Sequence, residues 1–429
     1  MHKKNKNYWT FMFKYTNIEL TVKRNKKQEG NKRMKGNVIV GQSGGPTAAI
    51  NASLAGVYRT AKDRGANKVY GMLHGIQGLL KEKYIDLSDH IKTELDAELL
   101  KRTPAAFLGS CRYKLPEIHE NREVYDKIFE ILDKLDIEVF IYIGGNDSMD
   151  TIKKLSDYAI IFGHAIRFIG CPKTIDNDLA LTDHTPGYGS AARFIAASTQ
   201  EVGEDVKSLP IHVCIMEAMG RNAGWITAAS ALARRKQGDA PHLIYLPERN
   251  FNEDEFLEDV SKLQKKQGGV VVLVSEGLHD ANGESIVPPI FKSERAVYYG
   301  DVSSHLANLV VKKLGVKARS EKPGLCGRAS VALQSPVDRE EARQAGTVAL
   351  RSAVEGNSGV MVGFERVPGT VYQMKTKLVP IKEVMLYERK MPDNFINERG
   401  NDVTQEFVDW CRPLIGDPLP EFLNFKDYL

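Results

Sequence analysis

Cysteine is scarce: five residues in 429, at Cys111, Cys171, Cys214, Cys326 and Cys411. None forms a Cys-x-x-Cys pair, and an odd number makes no closed disulfide framework, so the thiols read as reduced, as in a cytosol. Also missing is any histidine–carboxylate spacing of the kind that binds zinc. No apolar run approaches the length of a membrane span. No short-period repeat or low-complexity linker interrupts the chain after its first 35 residues. What is present is 42% hydrophobic content over 429 residues, enough to bury a large core in two or three domains.

Charge is spread unevenly. Residues 1–35 carry eleven lysines and arginines against Glu19 and Glu29, a net +9, while the whole chain is only +4, which leaves −5 for the rest. The basic balance therefore says nothing about partners of the remaining chain, and no nucleic acid or membrane surface is implied for it. The segment reads as a disordered or spurious extension ahead of a start-like Met34.

From residue 36 onward, strand-like runs alternate with helical ones, at 37–40, 68–73, 137–143, 165–170, 211–216, 242–246 and 270–275. Such alternation predicts α/β architecture, with parallel sheets flanked by helices. Three of these runs end in polar or glycine-rich turns, where open α/β sheets place their ligands. After 165–170 comes Cys171-Pro172-Lys173-Thr174-Ile175-Asp176-Asn177-Asp178. An ammonium beside two carboxylates suits transfer of an anionic group to a hydroxyl: one carboxylate takes the proton, another faces a metal, and the lysine neutralises the moving group. Alone, Lys-x-x-Asp-x-Asp also describes an ordinary surface ion pair.

The run 37–40 leads into Gly41-Gln42-Ser43-Gly44-Gly45-Pro46-Thr47 and a helical pattern, with Pro46 suited to a first helical position. Gly44 and Gly45 clear side chains from a turn whose N–H groups can face an anion. The same stretch matches Gly-x-Ser-x-Gly, which makes Ser43 a rival nucleophile of serine-hydrolase type. Third, 137–143 leads into Gly144-Gly145-Asn146-Asp147-Ser148 and another helix; Asp147 or Ser148 also suits a helix cap. Three such ends can build one anion-binding edge.

Gly-Gly-Asn-Asp-Ser, Pro-Lys-Thr-Ile-Asp-Asn-Asp and Met219-Gly220-Arg221-Asn222-Ala223-Gly224-Trp225 occur in the order found in 6-phosphofructokinases. The chain resembles that family from about Gly36 to its C-terminus, and most closely its pyrophosphate-dependent branch. In the ATP-using branch glycines stand where this chain has Asp147 and Lys173. The resemblance implies two Rossmann-like parallel-sheet lobes with the active site in the cleft between them. A donor lobe would span 36–188 and be rejoined by a segment after about 329; a sugar-phosphate lobe would span 189–328, with 329–429 packing back on both. It implies phosphoryl transfer from pyrophosphate to the C1 hydroxyl of fructose 6-phosphate, Mg²⁺ as cofactor, a cytoplasmic location and a homo-oligomer, most simply a dimer.

The family's roles carry over residue by residue. Asp176 would be the general base, Lys173 and Asp147 the donor-selecting pair, and Arg112 a phosphate contact. Gly44 would present backbone to pyrophosphate, and Thr174 and Ile175 would line the acceptor, with Asp178 supporting metal or geometry. Met219, Gly220, Arg221 and Glu248 would hold the sugar, and Arg319 and Arg328 its 6-phosphate. The chain departs from the family at three positions. Asn146 replaces a metal-associated aspartate, Leu325 a histidine or tyrosine, and His212 an arginine supplied across a subunit interface. An ATP-dependent phosphofructokinase, a Ser43 hydrolase and a non-catalytic sugar-phosphate sensor are the rival readings.

Overall fold

The computed structural model describes residues 33–292, 297–385 and 387–423. The basic stretch 1–32, and with it most of the extension expected over 1–35, lies outside them. The described strands, in chain order, are β1 (Asn37–Gln42), β2 (Val69–Met72), β3 (Tyr84–Asp86), β4 (Ile137–Gly144), β5 (Arg167–Pro172), β6 (His212–Ala218) and β7 (Leu243–Tyr245). They continue with β8 (Val270–Ser275), β9 (Pro289–Lys292), β10 (Val297–Tyr299), β11 (Lys317–Glu321), β12 (Val360–Arg366) and β13 (Met374–Pro380).

One sheet of seven strands has the order β13-β12-β5-β4-β1-β2-β3, and a second of four has the order β11-β6-β8-β7. All seven hydrophobic runs read from the sequence are strands, because each is covered on both faces and so lacks the alternation that would betray a half-exposed strand. In β1 and β4, Val38, Ile39, Val40, Val139, Phe140 and Ile141 are fully buried. These central strands pair in parallel, as does β5 with β4, where Gly144 lies opposite Pro172. Their carboxyl ends therefore come out side by side. The short or polar strands β3, β11 and β13, and the hairpin β9–β10, escaped the sequence reading.

β12 enters the first sheet beside β5, with Val360 opposite Ile169, although nearly two hundred residues separate them. Its neighbour in sequence, the helix Pro336–Glu355, packs across the helix Ile50–Asp63 at glycine contacts. A Cβ on Gly56 would sit 2.1 Å from the Arg343 carbonyl oxygen, and one on Gly346 would sit 2.0 Å from that of Ser53. Only glycine permits that approach. The helix Tyr188–Ser208 leads from the first sheet to the second.

One local expectation fails. The helix after the first glycine turn begins at Ile50, so Pro46 lies outside it rather than at its first position. Gly44 adopts φ +77°, and the Thr47 hydroxyl accepts the Ala49 N–H at 3.2 Å, which spends residues 43–49 on a wider turn.

Candidate active site

The three polar strand ends converge. A cleft of about 380 Å³ is lined by Ser43, Gly44 and Gly45 after β1, by Gly145, Asn146, Asp147 and Ser148 after β4, and by Lys173, Thr174, Asp176 and Asp178 after β5. Arg112 and Lys114 close one side, and Arg221 and Glu388 approach from the other.

Lys173 is the centre of the arrangement, only 2% exposed, with its ammonium donating to the Gly45 carbonyl at 2.7 Å. Gly44 makes this possible, since a Cβ there would lie 3.2 Å from Nζ. Gly44 itself does not offer its N–H to a ligand, because that group donates to the Cys111 carbonyl at 3.0 Å. Its contribution is room for the lysine. Burial lowers the Lys173 pKa to about 8, assisted by Arg112 and Arg328 and opposed by Asp176 and Asp178. Burial likewise raises Asp176, which Lys173 partly offsets. Asp178 is pushed up to about 6, first by burial and then by the neighbouring Asp176 charge.

Asn177, between the two aspartates, is held at φ +55° with no exposure. Its side-chain oxygen accepts the Thr185 N–H at 3.0 Å, which fixes the bend that turns both carboxylates into the cleft. Asn146 opens the 17-residue helix Asn146–Phe162 and donates its amide to Asp178 at 3.0 Å. The amide that replaces the family's aspartate thus orients Asp178. Asp147, in the first turn of that helix, is exposed at the cleft rim.

The acceptor side is assembled differently. Gly220, at φ +118°, donates its N–H to Glu276 at 3.2 Å and accepts the Ser275 hydroxyl at 2.6 Å, so the Met219-Gly220-Arg221 turn is pinned from β8. Met219 and Ile175 line a small apolar recess beside the cleft. Arg328 comes close to the first glycine turn, its Nη1 3.0 Å from where a Gly45 Cβ would be. Glu248 does not line the cleft: it accepts the N–H groups of Gly224 and Met391, at 2.9 and 3.2 Å, so its oxygens serve the backbone. Arg319 is exposed on the edge strand β11 and does not line this cleft either. His212 is buried at the start of β6, and Leu325 is 63% exposed.

Residues that the motifs did not announce are Lys114, Glu276 and Glu388. Lys114 could have been found from its spacing, two residues beyond Arg112. Glu388 could not: it comes from a C-terminal segment with no pattern of its own, and meets Asn222 at 3.1 Å across the cleft.

No histidine lines the cleft. The Ser43 hydroxyl lies 3.4 Å from the Cys111 carbonyl rather than beside an imidazole base, which removes the hydrolase reading. No cluster of three His, Cys, Asp or Glu that could cage a metal exists among the described residues. The site does fit a divalent cation shared with a phosphate ligand, because Mg²⁺ is commonly held by one or two carboxylates plus substrate oxygens. Asp178 is the cleft carboxylate placed for it, and the burial and Asp176 charge that raise its pKa are what a nearby dication would offset.

Comparison with known proteins agrees with this geometry. Residues 37–365 match the family model described as phosphofructokinase. The pyrophosphate–fructose 6-phosphate 1-phosphotransferase of Rhodospirillum rubrum is 41% identical over 92% of this chain and 97% of its own. That of Xanthomonas campestris is 39% identical over 91% and 96%. Among solved structures, the pyrophosphate-dependent phosphofructokinase of Marinobacter aquaeolei superposes with a TM-score of 0.80 at 37% identity, covering 91% of this chain and 94% of that one. With three converging strand ends, two sheets with parallel cores and relatives matched over nearly their whole length, the chain belongs to the phosphofructokinase family.

Proposed function

We propose that the chain catalyses reversible phosphoryl transfer from pyrophosphate to the C1 hydroxyl of fructose 6-phosphate, giving fructose 1,6-bisphosphate and phosphate. The observation that carries this reading is the pairing of Asp147 and Lys173 on one cleft, at positions held by glycine in ATP users. A buried ammonium serves a compact, highly charged donor, and an exposed carboxylate at the rim repels a longer nucleotide. The relatives named for this reaction share that preference in their names.

Phosphoryl transfer needs positioning and charge neutralisation more than covalent chemistry. Lys173 faces the transferred group, and Arg112 grips a donor phosphate. Asp176, deprotonated, accepts the C1 hydroxyl proton. Asn146 orients Asp178, which would hold Mg²⁺ together with phosphate oxygens; the ion, when bound, would neutralise phosphate charge. Arg221 and Arg328 face the sugar phosphate, while Thr174 and Ile175 shape the acceptor wall. The strands of 36–188 with β12 and β13 make the donor lobe, and those of 189–328 the sugar lobe. Arg319, exposed on an edge strand, reaches the 6-phosphate in the site of a second copy, so the working unit is a homo-oligomer, most simply a dimer. A cytoplasmic location goes with reduced thiols and a soluble sugar phosphate.

The test is direct. Purified protein with Mg²⁺ and fructose 6-phosphate is given pyrophosphate or ATP, and fructose 1,6-bisphosphate is measured. Turnover with pyrophosphate alone is expected. Preference for ATP would refute the donor assignment, and binding without turnover would make the protein a sensor.

A further inference from the structure

A buried histidine outside the cleft bears on how its catalytic loop is held. His184 is 1% exposed, with Nδ1 3.0 Å from Asp183 Oδ2 and Nε2 2.7 Å from Glu341 Oε2. Both ring nitrogens face carboxylate oxygens, which accept only, so both must donate and the ring is an imidazolium. Each carboxylate is further tied. Asp183 also receives Arg366 at 3.1 Å and the Trp410 indole at 3.3 Å, and Glu341 receives the Tyr372 hydroxyl at 2.7 Å. Phe364 stacks on the ring at 5.2 Å. The charges balance within the cluster: Asp183 and Glu341 against His184 and Arg366. Asp338, on the same helix as Glu341, and Arg389, near Asp183, are the other charged groups around the cluster.

The position of this cluster gives it a consequence. Thr185, next in sequence, donates its N–H to Asn177 and its hydroxyl to the Thr174 carbonyl at 2.8 Å, so it grips the loop on which Asp176 and Asp178 stand. Two residues further on, the Gly187 N–H donates to Asp338 at 2.7 Å. Glu341 and Asp338 lie one turn apart on the helix Pro336–Glu355, and the same helix meets, through Gly56 and Gly346, the helix that follows the first glycine turn. One helix thus braces both the Ser43–Gly45 turn and the Asp176–Asp178 loop.

We infer that His184 is a positioning residue for phosphoryl transfer: as an imidazolium clamped between Asp183 and Glu341, it locks the loop carrying Asp176 and Asp178 to the helix Pro336–Glu355. This rests on the reading of that loop as catalytic. Removing the imidazolium leaves a buried negative charge uncompensated and frees Thr185 to shift, and small misplacements of reacting groups can cost on the order of 10²-fold. Burial alone would pull the His184 pKa down, but the Glu341 charge and the bonds to both carboxylates outweigh it and raise it to about 9. Because the folded value is raised, the clamp's stabilisation is fully present below the ordinary histidine range and is lost as pH rises through about 9.

The test compares the wild type, His184→Gln and the double variant His184→Gln/Glu341→Gln, which restores charge balance. His184→Gln should lower kcat by ~10- to 100-fold with much smaller changes in either KM. The double variant should recover most of that loss. Thermal scans from pH 6 to 10 should show the wild type losing Tm through about pH 9, a loss absent from His184→Gln. If His184→Gln does not fold, recovery of a folded, active double variant supports the clamp. Wild-type kcat in His184→Gln, a double variant no better than the single one, or an unchanged pH dependence of Tm would overturn it. A wild type without pyrophosphate turnover would instead defeat the catalytic reading, and the Tm comparison would still judge the clamp.

Discussion

The two walls of the cleft are built on opposite plans. On the donor wall the charges are buried and mutually arranged: Lys173 is 2% exposed, Asp178 is held by Asn146, and Asn177 is fully enclosed between the aspartates. On the acceptor side the turn Met219-Gly220-Arg221 is pinned through its backbone, while Arg319, outside the cleft, stands exposed on β11. Burying a charge is costly unless partners surround it, so the donor wall is preorganised by one chain before any ligand arrives. Long exposed side chains carry rotamer freedom that must be lost on binding. The acceptor side therefore depends on its ligand for its final form and, on the proposed reading, on a second copy. Changes on the first wall should strike turnover; changes on the second should strike affinity.

The largest expected effect is at Asp176. Asp176→Asn keeps shape and removes the base, so kcat should fall at least ~10²-fold while both KM values change little. Initial rates with saturating pyrophosphate decide it; near-normal turnover would remove Asp176 from the mechanism.

Lys173 comes next, and pH reads it. Asp176 and Asp178, both raised by burial, must lose their protons and Lys173 must keep its own, so wild-type kcat/KM should show an acidic limb reaching to about pH 6 and fall above about pH 8. Lys173→Met should lower kcat ~10²-fold, as for loss of a charge-stabilising donor, and should abolish the alkaline limb while shifting the acidic one upward, since the ammonium no longer holds Asp176 down. An alkaline limb that survives the substitution would assign it to another group.

Much of this contrast was legible in the sequence, and its limits follow the same division. The donor wall comes from three strand ends whose hydrophobic runs are fully buried, and runs of that kind declare themselves. Lys173, Asp176 and Asp147 sit within a few residues of them. The acceptor side draws on Glu388, brought in by the chain's return, and the proposed phosphate contact Arg319 sits on β11, an edge strand reading Lys317-Ala318-Arg319-Ser320-Glu321, which has no apolar pattern. Glu248, expected at the sugar, meets the backbone N–H groups of Gly224 and Met391, partners that a motif position does not reveal. Gly44 was assigned a free N–H for the same reason: hydrogen-bond partners distant in sequence, here Cys111, leave no local trace.

Arg319 tests the second wall. Arg319→Ala should raise the KM for fructose 6-phosphate ~10-fold or more, the scale of one charge-assisted contact, with kcat less affected. Mixing Arg319→Ala chains with Asp176→Asn chains should regain activity, since a mixed dimer contains one site with both native residues. If dissociation and reassociation of the two variants restore nothing, Arg319 does not act in a neighbour's site.

The smallest effect is expected at Asp147, where the two plans meet: a donor-wall residue that is nonetheless exposed. On the proposed reading a nucleotide held by its phosphates would extend past this carboxylate into the adjoining open cleft, where Glu117, Asp150 and Glu388 join Asp147 beside Lys114 and Lys154. Lys154 is not a free cation there, being bound by Glu117 and Asp150 at 2.8 Å each. The path is therefore acidic well beyond Asp147. Removing one exposed carboxylate relieves about 1 kcal/mol of repulsion at contact distance in a watery dielectric, about a 5-fold gain in ATP affinity. Asp147→Gly also gives up a carboxylate in the first turn of the helix Asn146–Phe162, so a stability loss on the order of 1 kcal/mol should accompany it. Lys173 still suits only a compact donor, so ATP should become a better inhibitor of the pyrophosphate reaction without becoming a substrate. Inhibition constants for ATP in wild type and Asp147→Gly measure this. An unchanged constant would mean that nucleotide exclusion lies with the acids around Lys154, and not with the residue that most visibly separates this chain from ATP users.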